Sequence, residues 1–436
     1  MNNLTLVQKR FLEKAVEIVL LLGHCSFTLK NTEPPKEEDK LMVRCASLFS
    51  QIIAIFNRHQ FYRLVVKHRA ERYAKGYNSW DHFVAMLFCQ LAQAKSLREI
   101  CGGLACCIGK LRHLGMNNAP KKSTLSYANA HRPWKMYREL FYDTLDVCKR
   151  AVPGKHKFRF KNKLLSLDSS TISLCLSLFP WAKFRRTKGA VKLHLLLDHD
   201  GYLPTFAYIT NGKKHDVTIA RKVPLAPGSI VAMDRGYNDY KLFGQWTHDG
   251  IFFVTRLKEN ADYGVVAQNP IPRSRNILAD HHIRFTGYYA KKHCPYTLRK
   301  VVVWDEEKQR EIVLLSNHLA FGATTISAIY KDRWQIELFF KALKQNLKVK
   351  TFVGTTENAL YIQIWTALIA MLLIKYLQFK STLGWSLSNL VAFLRWNLFT
   401  YRDLWEWIND PFDVVPLVPE PVQYQLPLPG LGQHLR

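Results

Sequence analysis

Residues 330–344 read YKDRWQIELFFKALK. No Gly or Pro interrupts them, and apolar residues recur at helical spacing, so the segment is predicted to be an amphipathic helix. On a helical wheel of about 100° per residue, Arg333, Glu337 and Lys344 fall roughly 60°, 20° and 40° to one side of Tyr330. Ile336, Phe339 and Leu343 take the opposite face. One face is suited to a core. The other sets a single carboxylate among a phenol, a guanidinium and an ammonium. Taken alone, an Arg–Glu pair at i,i+4 on a solvated face accounts for this. The remainder of the chain argues for more.

The 436 residues carry 62 Lys and Arg against 34 Asp and Glu, a formal charge of +28, spread along the whole length. Such a surface attracts polyanions, nucleic acid first among them. With 48% hydrophobic residues the chain is globular and large enough for about two to four domains. Its nine cysteines contain no C-x-x-C pair, so reduced thiols are expected rather than zinc ligands. The early run AVEIVLLLG is short and contains Glu17, which argues against a secretory signal. The run IWTALIAMLLI, from Ile364, has about eleven residues, short of the ~20 a spanning helix needs. A soluble cytoplasmic protein with no membrane partner is expected.

Texture divides the chain. Residues 1–41 end in the charged KNTEPPKEEDK and are expected to be a dispensable extension, with Met42 a candidate true start. Residues 42–150 are helical in pattern and read as a DNA-binding domain. Ser96 is predicted to cap one helix with Glu99 three residues on, and Ser123 to cap another. From about 160 to 256 the order is three strands, helix, strand, helix, strand, an α/β plan with a mixed sheet. Residues 257–322 read as an all-β insertion. Residues 323–408 return to helix, and 409–436 form a Pro-rich tail.

Two aspartates interrupt this plan. Asp168 ends LLSLD and Asp234 ends IVAMD. A carboxylate at the mouth of a buried strand is costly unless something neutralises it, and strand ends are where α/β sheets bind ligands. Either aspartate alone reads as a turn or cap. With Glu337 they make three carboxylates, a hard oxygen set suited to Mg²⁺ or Mn²⁺. Two such ions about 3.5–4 Å apart support phosphoryl transfer. Arg333 and Lys344 are then expected to hold DNA phosphates, and Tyr330 to donate to a phosphate or stack on a base. The basic stretch KFRRTKG supplies Lys183, Arg185, Arg186 and Lys188 as further phosphate contacts. His194 reads as core, and Asp216 as the cap of a helix following His215.

Here the residues carry a family resemblance. Tyr330, Arg333, Glu337 and Lys344 match the Y-x2-R-x3-E-x6-K signature of insertion-sequence family four DDE transposases. SIVAMDRGYNDY resembles the D-x-G-Y block of that family through Asp234, Gly236 and Tyr237, and LLSLDSSTISL resembles its first block through Asp168. The segment from WDHFVAMLFCQLA to LSYANAHR is similar to the N-terminal domain of one branch. The likeness covers about residues 42–400. It implies an RNase H-like core interrupted by the β insertion, and Asp168, Asp234 and Glu337 as ligands of two Mg²⁺ ions. It implies double-stranded DNA partners, the element's terminal inverted repeats and a target, with a homodimer in the synaptic complex. It also implies cleavage at the element ends and transfer of their 3′ strands, work done in the cytoplasm on bacterial nucleoid DNA. Tyr237 joins the expected DNA contacts, and Trp304 is a candidate for stacking on a flipped base. Two other readings remain open on the sequence: a transposase-derived DNA-binding protein without catalysis, and a structure-selective nuclease without strand transfer.

Overall fold

The computed structural model describes residues 46–412, apart from Tyr73, Ile108, 155–156, 273–275 and 348–351. The expected N-terminal extension, the Met42 start and residues 413–436 of the tail lie outside the described residues.

Among the described residues, six α-helices come first: α1 (Leu48–Ile53), α2 (Arg58–Lys67), α3 (Ser79–Leu91), α4 (Leu97–Ala105), α5 (Lys122–His131) and α6 (Trp134–Ala151). Ser96 caps α4 as expected. Its hydroxyl accepts from Glu99 N at 3.2 Å, and Glu99 accepts from Lys95 N at 2.8 Å. The cap expected at Ser123 is not formed; α5 begins at Lys122, so Ser123 lies inside its first turn. Helix α3 is buried on every side. Its His82 bonds Asn129 of α5 and Tyr137 of α6, both at 2.8 Å. Burial pushes that imidazole down to about 3.

A ten-stranded sheet follows. The strands are β1 (Leu164–Leu174), β2 (Lys183–Arg185), β3 (Lys188–Asp198), β4 (Leu203–Asn211), β5 (Ile230–Met233), β6 (Phe252–Arg256), β7 (Tyr263–Gln268), β8 (Ile277–Phe285), β9 (Leu298–Asp305) and β10 (Arg310–Ser316). Their order is β2-β3-β1-β5-β6-β10-β9-β8-β7, with β4 also paired to β3. Strands β1, β3 and β4 form the antiparallel meander, and β5 and β6 run parallel to β1. Helices α7 (Asp216–Ala220) and α8 (Tyr240–His248) connect them. This is the strand–helix order read from the sequence, with the short β2 added.

Residues 257–322 differ from the expectation of an all-β insertion. Helix α9 (Tyr288–His293) lies between β8 and β9. Strand β10 pairs antiparallel with β6, so the segment lengthens the central sheet. Local periodicity reveals strands but not their partners, so this continuity is invisible in the sequence. Trp304 lies on β9, four strand positions from β1, or about 19 Å at the usual spacing.

The helical return breaks into five pieces: α10 (Ala323–Asp332), α11 (Trp334–Asn346), α12 (Glu357–Lys380), α13 (Leu387–Asn397) and α14 (Leu404–Asn409). Helix α12 extends the apolar run far beyond eleven residues. By length and composition it could cross a membrane, but 83% of its apolar window is buried in the protein. One hydrophobic cluster joins α12 to the N-terminal helices, to α11 and to one face of β1 and β3.

Candidate active site

The parallel register of β1 and β5 sets Leu167 opposite Met233, and the next residues are Asp168 and Asp234. Adjacent strands lie about 4.8 Å apart, so the two aspartates are neighbours. Asp234 sits where β5 ends, at the start of a 3-10 turn (Arg235–Tyr237). Asp168 does not end its strand as expected. Strand β1 continues to Leu174, and Asp168 lies in its middle, half-buried. Its carboxylate accepts from Ser169 N at 2.8 Å. Burial pushes Asp168 up to about 6, and the negative charges of Glu337 and Asp234 add to that rise; the Ser169 amide and Arg333 oppose it.

Glu337 comes from the first turn of α11, whose Ile336, Phe339 and Leu343 are buried in the core as the wheel predicts. The stretch 330–344 is not one helix. It breaks at Arg333, with Tyr330 in the last turn of α10. No Gly or Pro marks this break, because Arg333 keeps helical angles (φ −50°, ψ −30°). Arg333 Nη2 donates to Glu337 Oε1 at 2.7 Å, and its guanidinium lies 5.4 Å from the centre of the Tyr330 ring. Burial lowers the Arg333 pKa, but the Glu337 bond and nearby negative charge outweigh it and hold the group above its usual value.

Between β1 and α11 opens a cleft of about 430 Å³, lined by Asp168, Ser169 and Ser170 on one side and Glu337, Lys341 and Lys344 on the other. Lys344 also donates to Thr171 O at 3.2 Å. Among the described residues, no three His, Cys, Asp or Glu side chains already stand close enough to hold a metal ion. The donor set nevertheless suits a hard dication: carboxylates alone, mutually repelling, with Asp168 pushed up to about 6 chiefly by burial.

The expected DNA contacts fall into two groups. Lys183, Arg185, Arg186 and Lys188 are exposed on the β2–β3 hairpin. They are not beside Asp168. Gly189 pairs with Leu174 and Leu195 with Asp168, about six residues or 20 Å along the strand. Lys344 lines the cleft, whereas Arg333 is 8% exposed and turned to Glu337, and Tyr330 is half-buried. Tyr237 is the most deeply set of the expected contacts. At 2% exposure it belongs to the core beneath the site, where burial raises its phenol well above the usual value. Its aromatic character fits either role, so the sequence does not decide between them.

Sequence reasoning also missed groups. Lys341 follows Glu337 by one helical turn and faces the same cleft. Asp216 does not cap α7. It accepts from Ser169 Oγ at 2.8 Å and from Lys192 Nζ at 3.1 Å, tying α7 to β1 and β3. His194 is buried and bonded to Thr210 Oγ1 at 2.9 Å, as its strand position suggested.

The mixed sheet thus sets Asp168 and Asp234 on adjacent strands, with Glu337 on a helix that follows them in the chain. Residues 159–373 match the transposase DDE domain model, and residues 44–117 match a domain of unknown function. A putative transposase of Sinorhizobium fredii is 32% identical over 59% of this chain and 71% of its own length. A probable transposase for an insertion sequence element of Geobacillus stearothermophilus is 29% identical over 63% and 72%. A piggyBac transposase solved in a synaptic complex with hairpin DNA is 12% identical, with a TM-score of 0.40, over 81% of this chain and 79% of that one. The chain belongs to the DDE transposases of insertion sequences. It is therefore an enzyme that cuts and transfers DNA, and such enzymes depend on a divalent metal.

Proposed function

We propose that the protein binds the terminal inverted repeats of an insertion sequence, cleaves at the element ends and joins their 3′ ends to target DNA. Asp168, Asp234 and Glu337 hold two Mg²⁺ ions, or Mn²⁺ in their place. The observation that carries this reading is the β1–β5 register, which makes Asp234 the neighbour of Asp168, the aspartate that lines the cleft with Glu337. Bound dications activate the attacking oxygen and stabilise the leaving one. The protein's own groups set the geometry. The Arg333 hydrogen bond holds Glu337 aimed at the cleft. Lys341 and Lys344 on its rim hold the phosphates without reading sequence. The β2–β3 hairpin, about 20 Å away, grips the duplex further along. The protein acts on nucleoid DNA in the cytoplasm, as a dimer that brings two element ends together.

Incubation with Mg²⁺ and DNA carrying the element's own ends tests this. Cleaved ends and joined products are expected. Asp168→Ala, Asp234→Ala and Glu337→Ala each abolish both products while end binding survives. Full cleavage by Glu337→Ala would remove that residue from the site. Binding without any cleavage by the unaltered protein would instead identify a silent DNA-binding relative.

A further inference from the structure

Asp332 closes α10, immediately before the break at Arg333, and is 3% exposed. A buried carboxylate has to be neutralised or fully hydrogen-bonded. Lys157 forms an ion pair with it. His199 Nδ1 lies 2.6 Å from Oδ2, and the Tyr202 hydroxyl donates to the same oxygen over 3.4 Å. Burial alone would raise the carboxyl; the His199 and Lys157 bonds outweigh it and hold Asp332 below the usual range. An ionised carboxylate only accepts, so His199 Nδ1 carries the proton between them. Its Nε2 lies 2.7 Å from Ser166 Oγ.

This acid–imidazole–hydroxyl chain has the connectivity of a hydrolytic triad. Ser166, however, is fully buried inside β1, with β3 and β5 on either side, so no substrate reaches it. What the chain does is connect two parts of the site. Ser166 precedes Asp168 by two residues, on the same face of the same strand. Asp332 adjoins the break that begins α11, the helix carrying Glu337. At the far end of α11, Lys344 reaches Thr171 O of β1. The helix is thus pinned to the strand at its far end by a lysine of the cleft, and the buried chain holds the last residue of α10, just before the break from which the helix starts.

We propose that the Ser166–His199–Asp332 chain positions the helix of Glu337 against the strand of Asp168, and thereby sets the affinity of the site for a divalent cation. This rests on the carboxylate reading above. None of the three residues touches the cation or the DNA; they act through the two carboxylates.

The test is calorimetric titration of Mn²⁺ into the full-length protein, with melting and metal-free binding of element-end DNA followed alongside. Ser166→Ala removes one oxygen. His199→Asn keeps a donor toward Asp332 and loses the link to Ser166. Both are expected to weaken Mn²⁺ binding by about tenfold, the usual effect of disturbing groups that orient metal ligands. End binding stays unchanged, and cleavage recovers at saturating Mn²⁺. Unaltered Mn²⁺ affinity in Ser166→Ala overturns the proposal even if melting falls, and that variant decides the matter if His199→Asn does not fold. Asp168→Ala separates the two readings. If it too leaves Mn²⁺ affinity intact, the carboxylate site itself is wrong. If it alone loses binding, only the positioning chain is wrong.

Discussion

Asp168 and Asp234 are neighbours across two parallel strands that meet nowhere in the sequence, because Leu167 pairs with Met233. Burial, helped by the charges of Glu337 and Asp234, raises Asp168, with a consequence for stability without metal. Its rise from the usual 3.8 to about 6 corresponds to about 3 kcal/mol. Below pH ~4 the carboxyl is protonated whether the chain is folded or not. As pH rises toward 6, the unfolded chain ionises first, so this residue makes folding progressively less favourable, reaching its full effect above about pH 6. Asp168→Asn removes that slope. Denaturant midpoints of the metal-free protein from pH 4 to 7 should fall less steeply in the variant. Asp81, pushed by burial to about 6 as well, contributes equally to both proteins and cancels from the difference.

The Arg333–Glu337 pair predicts a different signature. Arg333 is buried and Glu337 only partly so. Arg333→Ala leaves a carboxylate beside Asp168 without its countercharge, at a cost of about 1–3 kcal/mol. Arg333→Lys restores charge but not the fork geometry, so cleavage stays well below that of the unaltered protein. Urea denaturation and single-turnover cleavage, measured together, check both parts. Equal cleavage by the lysine variant would show that charge alone suffices.

Distance separates the hairpin from the chemistry. Replacing Lys183, Arg185, Arg186 and Lys188 with Ala should weaken end binding and flatten its salt dependence. For every phosphate that is no longer neutralised, the slope of log affinity against log salt becomes shallower by about 0.9. The cleavage rate of DNA already bound should not change. Binding isotherms at several salt concentrations provide the measurement, and an unchanged slope would place the hairpin off the DNA.

Gly244 of α8 lies against the backbone of α9. A methyl group there would collide with His293 O, which cannot move aside as a flexible side chain would. Gly244→Ala should therefore destabilise the protein by about 1–3 kcal/mol, the usual cost of overpacking. A melting point unchanged by the substitution would mean that α9 packs elsewhere.

How much of this is legible in the sequence follows from the range of the interactions. The strand–helix alternation, the apolar face of α11 and the Ser96 cap are local patterns, and they appear in the structure as read. The break at Arg333 leaves no trace, since both flanks prefer helix and Arg333 itself stays helical. The extension of the central sheet through β10 depends on pairing across some 60 residues, which periodicity does not encode. The Asp332–His199–Ser166 chain joins residues 133 and 33 positions apart, each ordinary in its own neighbourhood. Tyr237 and Tyr330 look alike in the sequence, and only packing distinguishes the core residue from the one half-buried in the last turn of α10.

Helix α12 has one more implication, for synthesis on the ribosome. The N-terminal helices and one face of the sheet bury their apolar surface in the cluster that this helix shares, and it begins only at Glu357. Until those residues emerge, Asp168, Asp234 and Glu337 have all been made, but the scaffold that would gather them lacks its centre. Contacts this distant in sequence form late. A nascent or prematurely terminated chain thus carries all three carboxylates without the shared core that would gather them.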